Sequence, residues 1–361
     1  MKIHVFGHKQ VPSRDGGVEV VVTELSKRMA ALGHEVICYN RRGPRCGSYC
    51  GVKLKKVPTW NRRGMAAVTS SFFAAVAASF GSGEICHIHG EGPSFMCFLP
   101  KLCGKRVIVT VHGLDWQREK WKGGLGAVYI RMAEKMAVRF ADEIIVLSQD
   151  TRTYFHTHYK RDTHYIPNGV AGPVFRTAQV LQERFGLEKE NYLLFLGRLV
   201  PEKGVDDLIA AFGMVETSKR LVIAGASSDT DAYVTRLKAM AAEDARILFT
   251  GFVEGPLLQA LLSNAYLYVL PSYLEGMPMS LLEAMSYGNC CLLSDIPACR
   301  ETARDQAVYF PARDRNALAQ CLQTLCDDEK LVGHYRESIS RHDCGKYDWN
   351  EITKRTLELY R

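Results

Sequence analysis

A chain of 361 residues is longer than one hydrophobic core usually supports, so its length favours two domains. Hydrophobic residues make up 47% and charged residues 24% of the chain, which is ordinary globular usage and excludes a low-complexity protein. The net charge of +7 is unevenly spread: residues 1–170 carry 25 Lys and Arg against 13 Asp and Glu, whereas residues 171–361 carry 21 against 26. The basic first half predicts contact with an anionic partner or surface.

The twelve cysteines are scattered along the chain, and none belongs to a C-x-x-C pair. Cys290 and Cys291 are adjacent inside an apolar run, where they cannot form an ordinary disulfide. Met1 leads directly into the strand-like run KIHVFG, which does not resemble a signal peptide. We therefore expect reduced thiols and a cytoplasmic location.

The first half alternates short apolar runs with longer amphipathic segments, which is typical of a parallel sheet with helices on both faces. The runs are KIHVF, EVICYN, EICHIH, RVIVTVH and EIIVLS. After the first run, the pair Gly16–Gly17 precedes a helix that is expected to begin near Val18. Glycines let the backbone approach a ligand, and the N–H groups at a helix start attract phosphate. Gly16 and Gly17 are therefore candidate phosphate-binding residues, with a tight strand–helix turn as the alternative.

A segment without any acidic residue extends from Val36 to Gly83. Its cations are Arg41, Arg42, Arg45, Lys53, Lys55, Lys56, Arg62 and Arg63. They precede MAAVTSSFFAAVAASF (residues 65–80), which is too short and too rich in Ala and Ser to span a bilayer. A basic cluster followed by an apolar, aromatic-bearing segment suits contact with anionic lipid. A solvated basic loop followed by an ordinary core helix is the alternative.

His112 follows the buried run VIVTV, at the expected ligand-binding end of its strand. A histidine here is a candidate catalytic residue, although lone histidines are often structural.

The run HYIPNGV (residues 164–170) is typical of a linker, and the strand–helix pattern restarts after it. We predict two tandem Rossmann-like α/β domains that face a central cleft, over residues 1–166 and 167–345. Residues 346–361 are expected to form an amphipathic helix that packs on either domain.

The segment FLGRLVPEKGVDDLIAAF places two cations between a strand and a helix. Arg198 and Lys203 flank the strand end, and Gly204 opens the helix. Two fixed cations beside a helix N-terminus can hold a diphosphate. For either residue alone, an ordinary surface charge is the alternative.

The pair Asp229-x-Asp231 resembles a metal-binding D-x-D motif. It stands immediately before a predicted helix, so we favour a capping role and predict no metal site.

The segment EGMPMSLLEAMSYG holds two carboxylates eight positions apart, Glu275 and Glu283. We expect Glu275 in a turn and Glu283 about two turns into a helix that stops at Gly288. The backbone N–H groups of Gly276, Met277 and Met279 could face a sugar or a phosphate, and Pro278 suits a first helical turn. Because carboxylates accept hydrogen bonds from adjacent hydroxyls, the pair could hold a sugar at one end and a ribose at the other.

Taken together, these motifs resemble the retaining glycosyltransferases of family 4, which have the two-domain GT-B fold. The motifs are Gly16–Gly17, TVHG, IPNGV, GRLVPEKG and the E-x7-E pair followed by SDIP, and the resemblance covers essentially the whole chain. The N-terminal region further resembles a bacterial polysaccharide branch that contains capsule rhamnosyltransferases. This chain has GHKQ where that branch usually has GTRG, so the transferred sugar stays open.

The resemblance implies a role for each candidate residue. Glu275, with the backbone of Gly276 to Met279, would hold the hydroxyls of the donor sugar, and Glu283 would hold the ribose. Arg198 and Lys203 would neutralise the diphosphate leaving group without a metal or other cofactor. His112 would assist at the reacting face of the sugar, and Gly16 and Gly17 would contribute to donor binding.

The implied substrate is a UDP-, dTDP- or GDP-hexose, and no nucleic acid is expected as a partner. Many such enzymes extend lipid-linked sugars, so the resemblance favours a lipid-linked saccharide acceptor and a peripheral site on the inner face of the cell membrane. We expect the first domain to bind this acceptor and the second domain to bind the nucleotide sugar. A soluble acceptor is the first alternative. A sugar-nucleotide 2-epimerase, which has a similar two-domain fold, and a non-catalytic nucleotide-binding protein are alternatives of other classes.

Overall fold

A computed structural model describes residues 1–60, 65–117, 124–228, 230–340 and 344–361. The chain divides into two compact units, each built around its own hydrophobic core. The first unit contains Met1–Gly169 together with Lys346–Arg361, and the second contains Val170–Gly345. Along the sequence, the boundary between the units lies after residue 169, three residues beyond the position expected.

The first unit is an α/β sandwich around one sheet. Its strands are β1 (Lys2–Phe6), β2 (Glu35–Asn40), β3 (Cys46–Tyr49), β4 (Val52–Lys56), β5 (Ile85–His89), β6 (Arg106–Val111), β7 (Glu143–Val146) and β8 (His164–Tyr165). The sheet order is β3-β4-β2-β1-β5-β6-β7-β8, and only the β3–β4 pair is antiparallel. The helices are α1 (Gly17–Ala31), α2 (Met65–Phe80), α3 (Glu91–Ser94), α4 (Phe98–Leu102), α5 (Gly124–Phe140) and α6 (Gln149–Tyr159). The two central strands β1 and β5 end at neighbouring positions, so the loops that follow them share one edge of the sheet.

The second unit repeats this architecture with an all-parallel sheet. Its strands are β9 (Tyr192–Leu196), β10 (Arg220–Ala224), β11 (Ile247–Gly251), β12 (Leu267–Leu270), β13 (Cys291–Ser294) and β14 (Val308–Phe310), in the order β11-β10-β9-β12-β13-β14. Its helices are α7 (Gln179–Phe185), α8 (Val205–Phe212), α9 (Asp231–Met240), α10 (Gly255–Asn264), α11 (Met279–Ser286), α12 (Pro297–Ala303), α13 (Arg315–Asp327) and α14 (Glu329–Ser340). The strand order reverses at the β9–β12 pair, and such a switch point is where open α/β sheets bind ligands. The predicted α/β class with two Rossmann-like domains is confirmed.

The C-terminal helix α15 (Trp349–Glu358) belongs to the first unit. Trp349 is 2% exposed, and a Cβ on Gly169 would lie 2.4 Å from its ring, so only glycine fits beneath it. Arg106 and Arg355 link this C-terminal segment to the unit through bonds to the carbonyls of Leu359 and Tyr165. The sequence allowed this helix to pack on either domain, and in the structure it packs on the first.

None of the helices in the described ranges is long and apolar enough to cross a membrane. The predicted segment 65–80 is helical throughout as α2.

Candidate active site

The loop between β9 and α8 packs directly against the loop that follows β12. Gly204 adopts a left-handed φ of 64°, and a Cβ there would lie 2.3 Å from the carbonyl oxygen of Pro271. Glycine is therefore required at this position both for conformation and for space. The amide of Tyr273 also donates to the carbonyl of Glu202 at 2.8 Å. These backbone contacts bring the motif GRLVPEKG beside the motif EGMPMS.

The consequence is an ion pair between two of the predicted site residues. Lys203 Nζ donates to Glu275 Oε1 at 2.5 Å, and Ser272 Oγ donates to the same oxygen at 2.6 Å. The lysine and glutamate side chains are only 11% and 10% exposed. Two nearly buried, opposite charges at the end of a parallel sheet can bind a ligand that offers an anion next to hydroxyl groups.

The helix α11 presents an open N-terminus beside this ion pair. Its N-cap residue is Pro278, whose side chain makes no capping hydrogen bond, and the first turn carries no acidic residue. Tyr268 holds the first turn by donating to Ser280 Oγ at 2.8 Å. The positive end of the helix dipole is therefore directed at the loop that contains Gly276 and Met277, as an anion-binding site requires.

Arg198 and Glu283 lie in the same region of the second unit, and both are half-buried. Arg198 follows β9 by two residues, in the loop that carries Lys203. Glu283 is the fifth residue of α11, so it stands just over one turn into the helix. The expectation of about two turns was wrong, because the helix begins only at Met279, after Pro278.

The start of α8 differs from that of α11, because it is acidic. Asp206 and Asp207 occupy its first turn. Asp207 accepts bonds from the Tyr273 hydroxyl and Arg315, and Asp206 pairs with Arg236 at 2.8 Å. Because these carboxylates offset the helix dipole, the cationic side chains of the β9–α8 loop are better suited than the α8 N-terminus to attract phosphate.

The D-x-D motif lies partly outside the described residues, because Asp229 is not among them. Asp231 is the first residue of α9, and Thr230 takes the N-cap position without a side-chain cap bond. Asp231 is therefore not the N-cap residue, because it stands one residue inside the helix, and the part of the capping prediction that concerns Asp229 lies outside the described residues. Within the described ranges, no cluster of three or more His, Cys, Asp or Glu side chains is arranged to hold a metal ion.

In the first unit, Gly16 and Gly17 stand at the start of α1, which begins one residue earlier than expected. Gly16 has extended backbone, and a Cβ there would lie 2.7 Å from a carboxylate oxygen of Glu19. Glu19 is 5% exposed and accepts a bond from the Lys9 amide at 3.0 Å. Its carboxylate already lies at the positive end of α1, which gives Gly16 a local packing role. The donor-binding role of Gly16 and Gly17 stays a prediction.

His112 directly follows β6, and it contacts a histidine that sequence reasoning missed. His89 Nδ1 lies 3.0 Å from His112 Nε2. His89 ends β5 and is buried beside His87, with 4.2 Å between the ring centroids. Burial lowers the pKa of His87 to about 3 and that of His89 well below its ordinary value. The alternation of His87 and His89 in ICHIH was the available signal, because it places both on one face of the strand.

A buried carboxyl pair close to His112 was also missed. Glu91 and Glu134 are each 1% exposed, and Glu91 accepts the amide of Asp115 at 2.6 Å. Burial, followed by the charges of Asp115 and Glu134, raises the pKa of Glu91 well above its ordinary value. Glu91 Oε1 and Glu134 Oε2 accept no other hydrogen bond from the described residues. A proton shared between Glu91 and Glu134 would satisfy both of these oxygens, while the other oxygen of Glu91 holds the Asp115 amide in the turn that follows His112.

Both halves of the chain match models of known families. Residues 15–171 match the model described as Glycosyltransferase Family 4, and residues 179–347 match the model described as Glycosyl transferases group 1. Together the two matches cover both units.

Known proteins align with most or all of this chain, although their sequence identity to it is low. The chain is 25% identical over 400 residues to the alpha-maltose-1-phosphate synthase of Mycobacterium tuberculosis, covering 100% of this chain and 99% of that protein. It is 23% identical over 252 residues to the N,N'-diacetylbacillosaminyl-diphospho-undecaprenol alpha-1,3-N-acetylgalactosaminyltransferase of Campylobacter jejuni, covering 66% and 65%. The solved structure of Anabaena Alr3699/HepE in complex with UDP-glucose has a TM-score of 0.80 at 16% identity, over 99% of this chain and 98% of that one. The fold is shared over essentially the full length.

Proposed function

The chain belongs to glycosyltransferase family 4 and is a glycosyltransferase of the GT-B type; on this premise we propose that it moves a hexose from a nucleotide-diphosphate sugar to a lipid-linked saccharide, with retention of configuration, in the synthesis of a bacterial surface polysaccharide. The assignment to the rhamnosyltransferase-like branch stays part of this proposal.

The observation that carries the donor assignment is the ion pair between Lys203 and Glu275. In a hexosyl diphosphate, the phosphate at the anomeric carbon is only a few bonds from the ring hydroxyls. A cation and a carboxylate held at 2.5 Å match that juxtaposition, because Lys203 can donate to a phosphate oxygen while Glu275 accepts hydrogen bonds from sugar hydroxyls. Arg198 adds a second cation from the same loop, and the open N-terminus of α11 adds backbone N–H donors.

In the proposed transfer, the bond between the anomeric carbon and the leaving phosphate oxygen breaks as the acceptor oxygen bonds to that carbon. The proton of the acceptor hydroxyl passes to the leaving phosphate on the same face of the sugar. Lys203 and Arg198 stabilise the negative charge that develops on the diphosphate, so we propose that no metal is needed. Glu283 holds the ribose, and His112 hydrogen-bonds the reacting sugar.

The solved relative with bound UDP-glucose supports a nucleotide sugar as the donor. Whether that donor is a UDP-, dTDP- or GDP-sugar stays open.

The surface of α2 supports a lipid-linked acceptor. The residues that this helix buries are small: Ser70, Ser71, Ala74, Ala75, Ala78 and Ser79. The serine hydroxyls donate to carbonyls of the helix itself, so that this face packs without unsatisfied polar groups. The aromatic residues point outward, with Phe72 and Phe73 over 40% exposed and Phe80 82% exposed. This is the reverse of an ordinary surface helix, which buries its large apolar side chains.

A basic surface lies beside this exposed apolar face. Arg42, Arg45, Lys53, Lys55 and Lys56 are exposed on and around the β3–β4 hairpin. The chain then passes through Trp60, which is 65% exposed and whose amide donates to Thr69 Oγ1 on α2 at 3.0 Å.

Cations next to exposed aromatic side chains suit an anionic bilayer, each cation contributing about 1 kcal/mol near the surface. Arg62 and Arg63 lie outside the described residues. We therefore propose a peripheral location on the inner face of the cell membrane.

Flotation with liposomes tests the membrane assignment. The wild-type protein should float with vesicles that contain phosphatidylglycerol at low salt, and less so at high salt. A variant carrying Phe72→Ser, Phe73→Ser and Phe80→Ser should stay with the soluble fraction, as should one with the exposed cations changed to Gln. The matched control is Phe252→Ser, which changes an exposed phenylalanine of the second unit, 47% exposed, and should not alter flotation. Wild-type protein that ignores anionic vesicles at low salt would contradict the assignment.

Incubation with a panel of UDP-, dTDP- and GDP-hexoses tests the reaction itself. We expect nucleoside diphosphate release that depends on a polyprenyl-diphosphate-linked saccharide. Release with a soluble phosphorylated sugar instead would favour the soluble-acceptor alternative, which the resemblance to an alpha-maltose-1-phosphate synthase supports. A changed sugar without release of nucleotide would identify an epimerase.

A further inference from the structure

We propose that His89 is a positioning residue for the transfer reaction: through its Nδ1 it fixes the tautomer and the ring orientation of His112. This inference rests on the role proposed above for His112. His89 itself needs no contact with substrate.

The sheet brings the two rings together. β5 and β6 are parallel neighbours, and His89 stands opposite Thr110, two residues before His112. The chain after β6 therefore passes next to the end of β5. His89 Nδ1 and His112 Nε2 lie 3.0 Å apart, and the ring planes are inclined by 32°. At this distance the contact is a hydrogen bond that uses one nitrogen of each ring.

His89 is well placed to act as a rigid support. Its backbone is fixed from the β1 side, because a Cβ on Gly7 would lie 2.0 Å from the His89 carbonyl oxygen. Its ring packs on His87, which is held at both nitrogens. His87 Nδ1 bonds the Tyr360 hydroxyl at 2.6 Å, and Nε2 bonds Thr110 Oγ1 at 2.7 Å.

The charge state of the two rings decides how many protons the contact holds. Burial and the neighbouring histidines keep the pKa of His89 well below its ordinary value, so the ring is neutral at pH 7. A neutral imidazole donates from one nitrogen and accepts at the other. When His112 is also neutral, the Nδ1–Nε2 bond holds a single proton. Whichever ring supplies that proton, the bond ties the tautomer of His112 to that of the buried His89, and with it the polarity of the other nitrogen of His112.

The proposal makes an atom-specific prediction. Asparagine places its side-chain amide close to the position of Nδ1, whereas glutamine reaches the position of Nε2. His89→Leu should lower kcat by about 10- to 100-fold, the cost of a misplaced catalytic group, without changing the affinity for the nucleoside diphosphate. His89→Asn should restore kcat to within about threefold of wild type, because its amide can still bond His112. His89→Gln should resemble His89→Leu.

The matched control is His4→Leu. His4 is equally buried, on the neighbouring strand β1, and bonds the Tyr39 hydroxyl at 2.9 Å. This variant should lower thermal stability as His89→Leu does, but leave kcat unchanged. Equal losses of kcat in the Asn and Gln variants, or an unchanged kcat in a folded His89→Leu protein, would overturn the proposal.

Nitrogen-15 NMR of the imidazole rings tests the same contact without any reaction. His112 in the wild-type protein should show the shifts of one tautomer, and in His89→Leu those of a mixture. An unchanged His112 spectrum in that variant would refute the positioning role, even if no sugar donor were turned over. Absence of transfer in the wild-type protein would instead count against the proposed function and leave this test standing.

Discussion

The two units share an architecture but treat the ionisable groups at their strand ends in opposite ways. In the second unit, Lys203 and Glu275 stand as an ion pair, although their side chains are about 10% exposed. In the first unit, burial disfavours the charged forms near His112, because it lowers the pKa of His89 and raises that of Glu91. The same position in the same fold therefore holds two different electrostatic environments.

The difference follows from which partners the fold supplies. A buried charge persists where an opposite charge lies within hydrogen-bond distance, as Lys203 does for Glu275. Where like groups face each other, burial and repulsion favour the neutral form, which lowers the pKa of His87 and His89 and raises that of Glu91. A charged site suits a diphosphate, and a neutral site suits hydroxyl groups. This contrast agrees with our proposal that the second unit binds the diphosphate of the donor and that the first unit binds the acceptor.

The largest expected effect comes from removing a positive charge from the proposed donor site. Lys203→Ala should weaken UDP binding by about 10- to 150-fold, because a charge-assisted hydrogen bond contributes roughly 1.5–3 kcal/mol. Arg198→Ala should weaken it similarly. Calorimetric titration with UDP measures both, and Lys219→Ala, another partly buried lysine of the second unit, is the control. Unchanged affinity in both site variants would remove the electrostatic contrast between the units.

The next effect separates the two glutamates. Glu275→Gln should mainly lower kcat, because its sugar contact strengthens as charge develops at the anomeric carbon. Glu283→Gln should mainly raise the KM for the donor, because ribose is held alike in the ground and transition states. We expect about 10- to 100-fold in each parameter. Steady-state kinetics decide between the roles, with the exposed Glu243→Gln as control, and a reversed pattern would mean that the two roles are exchanged.

A smaller effect tests the neutral environment of the first unit. Because the pKa of Glu91 is raised in the folded protein, the folded state holds a proton that the unfolded chain releases near pH 4.5. Folding stability is therefore lost as the pH rises from about 4.5 towards the raised value. Glu91→Gln keeps an acceptor for the Asp115 amide and a donor for Glu134, so it should remove this loss.

Thermal unfolding measures this loss of folding stability. The Tm of Glu91→Gln relative to that of the wild type should rise between pH 5 and pH 8, by about 2–4 °C for each kcal/mol of folding free energy gained. Glu84→Gln, at an exposed position, should show no such trend. A difference in Tm that does not change with pH would show that Glu91 is ionised in the folded protein.

Removal of metal ions is expected to have no effect on activity. If the cations of the second unit suffice for the leaving group, activity in excess EDTA should equal that without it, and Asp229→Asn and Asp231→Asn should change kcat/KM little. Loss of activity that Mg²⁺ or Mn²⁺ restores would mean that the protein's own cations do not neutralise the diphosphate.

The sequence by itself determined the architecture, because alternation between strand and helix is written in local hydrophobic periodicity. It also located the motifs that we propose to bind the donor, since Gly204, Lys203 and Glu275 lie in short segments whose spacing is specific. The apolar character of α2 was visible too, although only the structure shows that its phenylalanines face outward and its serines inward.

The tertiary structure decided which of these residues meet. Lys203 and Glu275 are 72 residues apart, His89 and His112 are 23 apart, and Tyr360 reaches His87 across 273 residues. Those contacts depend on the order of strands in each sheet, which local patterns do not specify. The pKa of each group depends in turn on its burial and its neighbours, so the lowered pKa values of His87 and His89 and the raised pKa of Glu91 become apparent only once the chain is folded.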